Sequence, residues 1–262
     1  MNKLIVLFFL MILSLGEGLA QKLPQTQIAS VWAPQNLKID GLPNEWSSFQ
    51  AYNKATNVFY TLCNDDRNLY LVIQATDPVI INKITASGIT LSIGKPGSET
   101  AFTFPAYDKE NKAIYSIMTN APKEKAKAQI DTFIQKRNQL RDERQKIIRI
   151  TSYQHDQDIS VYNDSGVKAA GHIDANLAYT EEFAIPLNKP GVAVNGLINY
   201  NICINGQIPK GATMVNIPGR PEIIVYKAAN GVDMQVGRST NPDDLALAYP
   251  TDFDGTYVLA KK

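Results

Sequence analysis

Reactive side chains are scarce in this chain of 262 residues, which holds two cysteines, two histidines and two tryptophans. Neither His155 nor His172 has a second His or a Cys at metal-ligand spacing, so there is no zinc-site pattern. No G-x-S-x-G elbow and neither of the standard Gly-rich phosphate loops is present. An excess of one charge sign is missing too. Lys plus Arg number 26 and Asp plus Glu 25, a formal net charge of +1, whereas nucleic acid or an acidic membrane surface would need a basic surplus in its partner. The chain also lacks a second long apolar run after its first residues, so no transmembrane segment is expected in the mature protein. No cofactor is implied.

What is there begins with an address. Lys3 precedes an apolar run from Leu4 to Leu15 interrupted only by Ser14. It is shorter than the roughly 20 residues that span a bilayer and suits a secretory signal. Gly18 and Ala20 stand where a signal peptidase reads small residues. Cleavage is expected after Ala20, giving a signal peptide over 1–20 and a mature chain over 21–262, secreted or periplasmic. In such an oxidising compartment Cys63 and Cys203 could form one disulfide. Each sits in an apolar, strand-like run, so two buried thiols are the alternative.

The mature chain reads as many short strands. Val58–Cys63, a turn-rich Asn64–Asn68 and Leu69–Ile73 make a hairpin signature. Further strands are expected over Gly88–Ile93, Ala101–Phe104, Ile159–Tyr162, Phe183–Leu187, Leu197–Ile204 and Gly255–Ala260. Turn punctuation between them points to a mainly β fold, an antiparallel β-sandwich in one domain. One segment departs from it. Residues 121–148 contain no Gly, and Ile130, Phe133, Ile134, Leu140 and Ile147 recur at helical spacing, so an amphipathic helix is expected to be inserted there. It carries eight basic and four acidic residues. Either it is a solvated helix packed by a thin apolar stripe, or it is a contact surface for an anionic partner; the interspersed acids favour the first. Residues 206–250, rich in Gly, Pro, Asn and Asp, read as a long loop with a short strand at Glu222–Tyr226.

Individual residues allow paired readings. Asp65 and Asp66 could bind calcium or simply turn the hairpin, and the turn is favoured. Asn163-Asp164-Ser165 is formally a glycosylation sequon and also a turn sequence. The pair Glu181 and Glu182 is a poor acid–base couple because neighbours on a strand face opposite ways. Asp243 and Asp244 form a third acidic pair.

A resemblance is carried by Ile39-Asp40-Gly41 followed by Glu45 and Trp46, by the hairpin with Asn68-Leu69-Tyr70, and by Tyr179-Thr180-Glu181-Glu182-Phe183-Ala184-Ile185-Pro186. Asn199–Asn205 and Asp252–Tyr257 add weaker matches. Together they resemble family 9 carbohydrate-binding modules and their DOMON-like relatives, as also found alone in secreted bacterial proteins. The resemblance implies a DOMON-like sandwich and a non-catalytic binding domain. Sugar-binding members clamp a terminal sugar between exposed Trp residues, one before the strand that follows the first hairpin and one in a late loop. Here Asn82–Gly88 and 206–250 contain no Trp. Trp46 is expected to pack in the core rather than serve as a platform; Tyr226 or Tyr249 are the remaining platform candidates. The expected function is therefore binding, with a polysaccharide or a cell-envelope protein as partner. An enzyme such as a glycosidase would need two carboxylates about 5 to 10 Å apart across a cleft. Neither catalytic nor metal-binding residues are singled out, and the ligand-binding residues are left open.

Overall fold

The computed structural model describes residues 22–106, 127–153, 156–189, 196–228, 230–238 and 241–262. The expected signal segment 1–20, the first part of the expected helix (121–126) and His155 lie outside the described residues. In chain order the strands are β1 (Ala51–Asn53), β2 (Val58–Asn64), β3 (Asn68–Ala75), β4 (Ile89–Ile93), β5 (Thr100–Phe104), β6 (Ile147–Ser152), β7 (Asp156–Ser160), β8 (Lys168–Ile173), β9 (Tyr179–Pro186), β10 (Leu197–Ile204), β11 (Thr213–Val215), β12 (Ile223–Lys227), β13 (Asp233–Arg238) and β14 (Thr251–Val258). Three α-helices accompany them: α1 (Pro78–Ser87), α2 (Lys127–Arg144) and α3 (Pro242–Ala248).

The expected antiparallel sandwich is what these strands form. One sheet runs β1-β2-β3-β9-β8 and the other β14-β10-β4-β5-β6-β7, and every pairing within them is antiparallel. Side chains alternate across a strand, so Tyr60, Leu62, Leu71, Ile73, Phe183 and Ile185 of the first sheet meet Ile89, Leu91, Phe102, Phe104, Ile198 and Ile202 of the second in one core. Gly255 lies opposite Tyr200 in the β10–β14 pairing. A Cβ on Gly255 would stand 2.3 Å from the Tyr200 ring. The bare backbone lets that ring lie across the strand, where its hydroxyl meets Tyr60 at 3.0 Å.

The two outer faces differ. Strands β2, β3 and β9 are buried along nearly their whole length, because the N-terminal segment covers them: Val31, Leu37, Ile39 and Trp46 pack on Ala33, Cys63, Tyr70 and Ala184. Strands β4 and β5 instead alternate strictly between buried and half-exposed residues, the mark of a sheet that faces solvent on one side. The edges of the covered sheet are closed by side-chain amides. Beyond the short β1, Gln27 donates to the Leu62 carbonyl at 2.8 Å and accepts from its N–H at 2.7 Å. At the far edge Asn138 does the same for Ile173, both bonds 2.9 Å long.

Two expectations need correction. The helix near 121–148 ends at Arg144, and Ile147 and Ile148 open β6 instead; Ile-Ile-Arg-Ile-Thr is β-branched and suits a pleated surface better than a helix. Its attachment is also more polar than the periodicity suggests. Ile134 reaches the sandwich core, but the buried residues of α2 are Arg137, stacked over Phe133, and Asn138. The stretch near 206–250 is not a long loop. It folds into a third sheet, β11-β12-β13, which with α3 encloses a small cluster of Ile208, Ile224 and Ala248. Tight turns at Gly219 and Gly231, both at positive φ, explain its glycine content.

Helix α1 is not among the elements expected from the sequence, although Ile80, Ile81 and Ile84 stand at helical spacing. Its start is well specified: Asp77 caps it by accepting from Val79 and Ile80 N–H groups, and Pro78 occupies the first turn. It buries Ile81, Lys83 and Ile84. No helix among the described residues is long and apolar enough to cross a membrane.

Candidate functional site

The residues behind the motif resemblance turn out to form one structural device. Glu182 projects to the outer side of β9, and its carboxylate accepts from Asp40 N–H at 3.0 Å, Gly41 N–H at 2.8 Å and the Trp46 indole N–H at 2.7 Å. Gly41 has φ +78°, and a Cβ there would lie 2.5 Å from the Gly171 carbonyl carbon, so the turn sits flat on β8 only without a side chain. The Asp-Gly turn and the Trp thus clamp a carboxylate 136 residues away. Burial raises Glu182 to about 7 against the pull of its three donors, the Trp46 bond first among them. Trp46 is half-buried among Cys63, Tyr70 and Ala184, the packing role expected of it. Trp32 is half-buried and bridges the Asn64 backbone.

Glu181 points the other way, into the sandwich. It accepts from the Tyr179 hydroxyl at 2.8 Å, and burial pushes its pKa well above the usual carboxylate range. The two glutamates are therefore on opposite sides of β9, each with its own partner. His172 lies on β8 and faces Asn138 at 3.2 Å. Burial, then the neighbouring Arg141 charge, lower its pKa. Asp65 accepts from the N–H groups of Arg67 and Asn68 and from the Tyr70 hydroxyl, which makes it the organiser of the hairpin turn. The Asn163 side chain is bound up in its own turn, donating to Ser160 and Val167 carbonyls and accepting from Ser165. Cys63 and Cys203 are both buried and free, in different sheets; burial pushes their thiols up to about 12 and about 11. Tyr226 packs beside the small third cluster and Tyr249 follows α3. The side chains of Asp243 and Asp244 lie outside the described residues.

None of those positions lines an open groove of about 890 Å³ across the uncovered face of the six-stranded sheet. Asp254 and Thr256 of β14, Asn199 and Asn201 of β10, Ser92 of β4, Ala101 of β5 and Thr151 of β6 form its floor. With strands spaced about 4.8 Å apart, a crossing of five strands extends about 19 Å. The rim is built by the β4–β5 turn at Pro96, Gly97 and Glu99, by Tyr153 after β6 and by Lys210 from the third sheet's approach. Tyr153 is 69% exposed.

One end of the groove is rigidly organised. Asn201 donates to Asp252 at 2.7 Å and to Asp254 at 2.9 Å, while Lys210 donates to Asn201 at 3.1 Å and to Asp252 at 2.7 Å. Burial disfavours charge on Asp252, but the Lys210 and Asn201 hydrogen bonds outweigh it and lower its pKa. Lys210 is raised by the same contact, again against burial. Both members are thus ionised at neutral pH, and donors and acceptors stand fixed at the groove's end. Sequence reading missed this set. The signal lay in β10, where Asn199 and Asn201 hold the outward positions of an alternating strand; that they align with Asp254 and Ser92 depends on pairings 53 and 109 residues away in sequence.

No family model matches the chain, and neither does any curated protein. Among solved structures the chain is similar to a family 9 carbohydrate-binding module from Caldicellulosiruptor kristjanssonii in complex with glucose, at 9% identity and a TM-score of 0.35, over 90% of this chain and 96% of that one.

Proposed function

We propose that this chain is a secreted or periplasmic, non-catalytic binding protein, released by cleavage near Ala20, whose ligand is a saccharide chain laid across the uncovered face of the six-stranded sheet. The observation that carries this reading is the groove itself: an open trough with a floor of small and polar side chains, framed by Asn201, Asp254 and Lys210 and edged by the exposed Tyr153. Saccharides present closely spaced hydroxyls that both donate and accept. Amide, carboxylate and ammonium groups held in place meet them without the entropy cost of ordering loose side chains. A tyrosine ring at the rim offers a flat apolar face. The choice of binding over catalysis rests on the acidic pair in β9, whose members face opposite sides and serve the core and the Asp40–Trp46 clamp.

Affinity electrophoresis of the mature chain in gels containing soluble plant, fungal and bacterial polysaccharides tests the reading. Retardation is expected on at least one, and Asn201→Ala should abolish most of it while leaving the melting temperature within a few degrees. Absence of retardation on every polysaccharide, or retention unchanged in Asn201→Ala, would sink the proposal. Intact mass of secreted protein is expected to correspond to a chain beginning at Gln21.

A further inference from the structure

A second concavity, of about 580 Å³, wraps the edge strand β8 on the flank away from the groove. It is walled by Asp40 of the Asp-Gly turn, the last residues around α2, and the turn that follows β7. Part of the basic character of the α2 region, unused by the groove, lies here. Arg141 from the last turn of α2, Lys146 just beyond that helix and Lys168 from β8 line it. Lys146 and Lys168 make no ion pair among the described residues, and Arg141 pairs only with its sequence neighbour Asp142, which is 68% exposed.

The charges beneath do not cancel this surplus. Glu181 lies within electrostatic reach of Arg141, but burial pushes its carboxyl well above the usual carboxylate range, and burial, then Arg141, lower the pKa of the adjacent His172. Two carboxylates, Asp40 and Asp142, remain at the wall. An exposed aromatic ring completes the set: Tyr162 is 76% exposed, with the Lys146 ammonium 5.7 Å from its centroid. A bare inorganic anion would meet the cations but be repelled by the two carboxylates. A neutral sugar would leave the Lys146 and Lys168 ammoniums without an anionic partner. A ring bearing both a carboxylate and hydroxyls answers every group present.

We propose that this cavity binds a sugar acid: Arg141, Lys146 and Lys168 hold its carboxylate, Asp40 and Asp142 accept from its hydroxyls, and Tyr162 stacks on its ring. The site is separate from the groove and does not depend on the groove's ligand. Calorimetric titration of the mature chain with D-galacturonate and D-glucuronate, with D-galactose and sodium sulfate as controls, tests it. At least one uronate is expected to bind at least about tenfold more tightly than either control, since each charged contact is worth about a factor of ten or more. Lys168→Gln and Tyr162→Ala, both at exposed positions, should each weaken uronate binding about tenfold with unchanged melting temperature. Asn201→Ala should leave it unaltered, so that failure here and failure of the groove reading are told apart. Sulfate binding as tightly as the uronates, galactose equalling them, no binding by either uronate, or both variants retaining full affinity would each overturn the assignment.

Discussion

Lys83 shows how far a single side chain can depart from what its neighbours in sequence suggest. It lies in Asn82–Gly88, a stretch that reads as the approach to a strand, yet it sits in α1 only 1% exposed, its ammonium bonded to the Thr251 hydroxyl at 3.0 Å. Burial lowers its pKa from 10.5 to about 8. Between those values the unfolded chain keeps the proton and the folded chain does not, so stability gains from this residue as pH rises through the window. Below about 8 its cost is full, about 3 kcal/mol. Lys83→Met is expected to be more stable than the parent at pH 7 and to lose that advantage by pH 10.5, read from urea unfolding of both proteins at each pH. Glu182 is also shifted by burial, but its carboxyl has three hydrogen-bond donors. Trp46→Phe keeps the packing but leaves an acceptor oxygen without its indole donor, and should cost about 2 kcal/mol; an unchanged urea midpoint would remove the clamp from the account. The Asp40-Gly41 and Trp46 signature was legible in the sequence as a landmark. Its meaning was not, because the carboxylate it grips is brought near only by the β3–β9–β8 pairings.

At the scale of elements, the strands with clean alternation or dense β-branched content stood out: β2, β3, β4, β5 and β10 lie where the sequence puts them, to within a residue or two, and β9 begins four residues earlier than its expected Phe183. The elements that escaped are those whose identity comes from context. Helix α1 is short and rich in isoleucine, so only the Asp77-Pro78 start and the spacing of Ile80, Ile81 and Ile84 distinguish it from a strand. Strands β11 and β13 are set in Gly- and Pro-rich sequence, and tertiary pairing with β12 makes them strands. For α2, the hydrophobic stripe predicted attachment, but the amide of Asn138 does much of it. Asn138→Ala is expected to expose the Ile173 amide to exchange, with loss of protection along α2 but not along β3, in hydrogen–deuterium exchange; uniform protection would show that the apolar stripe suffices. Gly255→Ala probes the other sheet, where the Tyr200 ring leaves no room for a methyl group. It should lower stability by about 2 kcal/mol through overpacking, measured as a drop in melting temperature.

Over the whole molecule, one sheet is covered on both sides and the other on one only. The free face therefore carries the groove, and the covered face carries the clamp that resembles a recognition motif. Both thiols belong to buried surroundings, so Ellman's reagent should find none in the native protein and two after urea; an oxidised pair, giving none in either state, would contradict the structure. The side-chain amides at Leu62 and Ile173 have a further consequence for how the protein behaves in a crowd. A sheet margin with unpaired N–H and C=O groups is a template on which a second chain can grow as an added strand. Gln27 and Asn138 occupy that template on both margins of the covered sheet. The margins of the other sheet, β7 and β14, carry charged side chains instead: Asp158 paired with Arg149, Asp252 paired with Lys210, and Asp156 and Asp254 beside them, and charge on an edge strand discourages an added strand. Against strand-by-strand growth into fibres, the guard on the covered sheet comes from two side-chain amides.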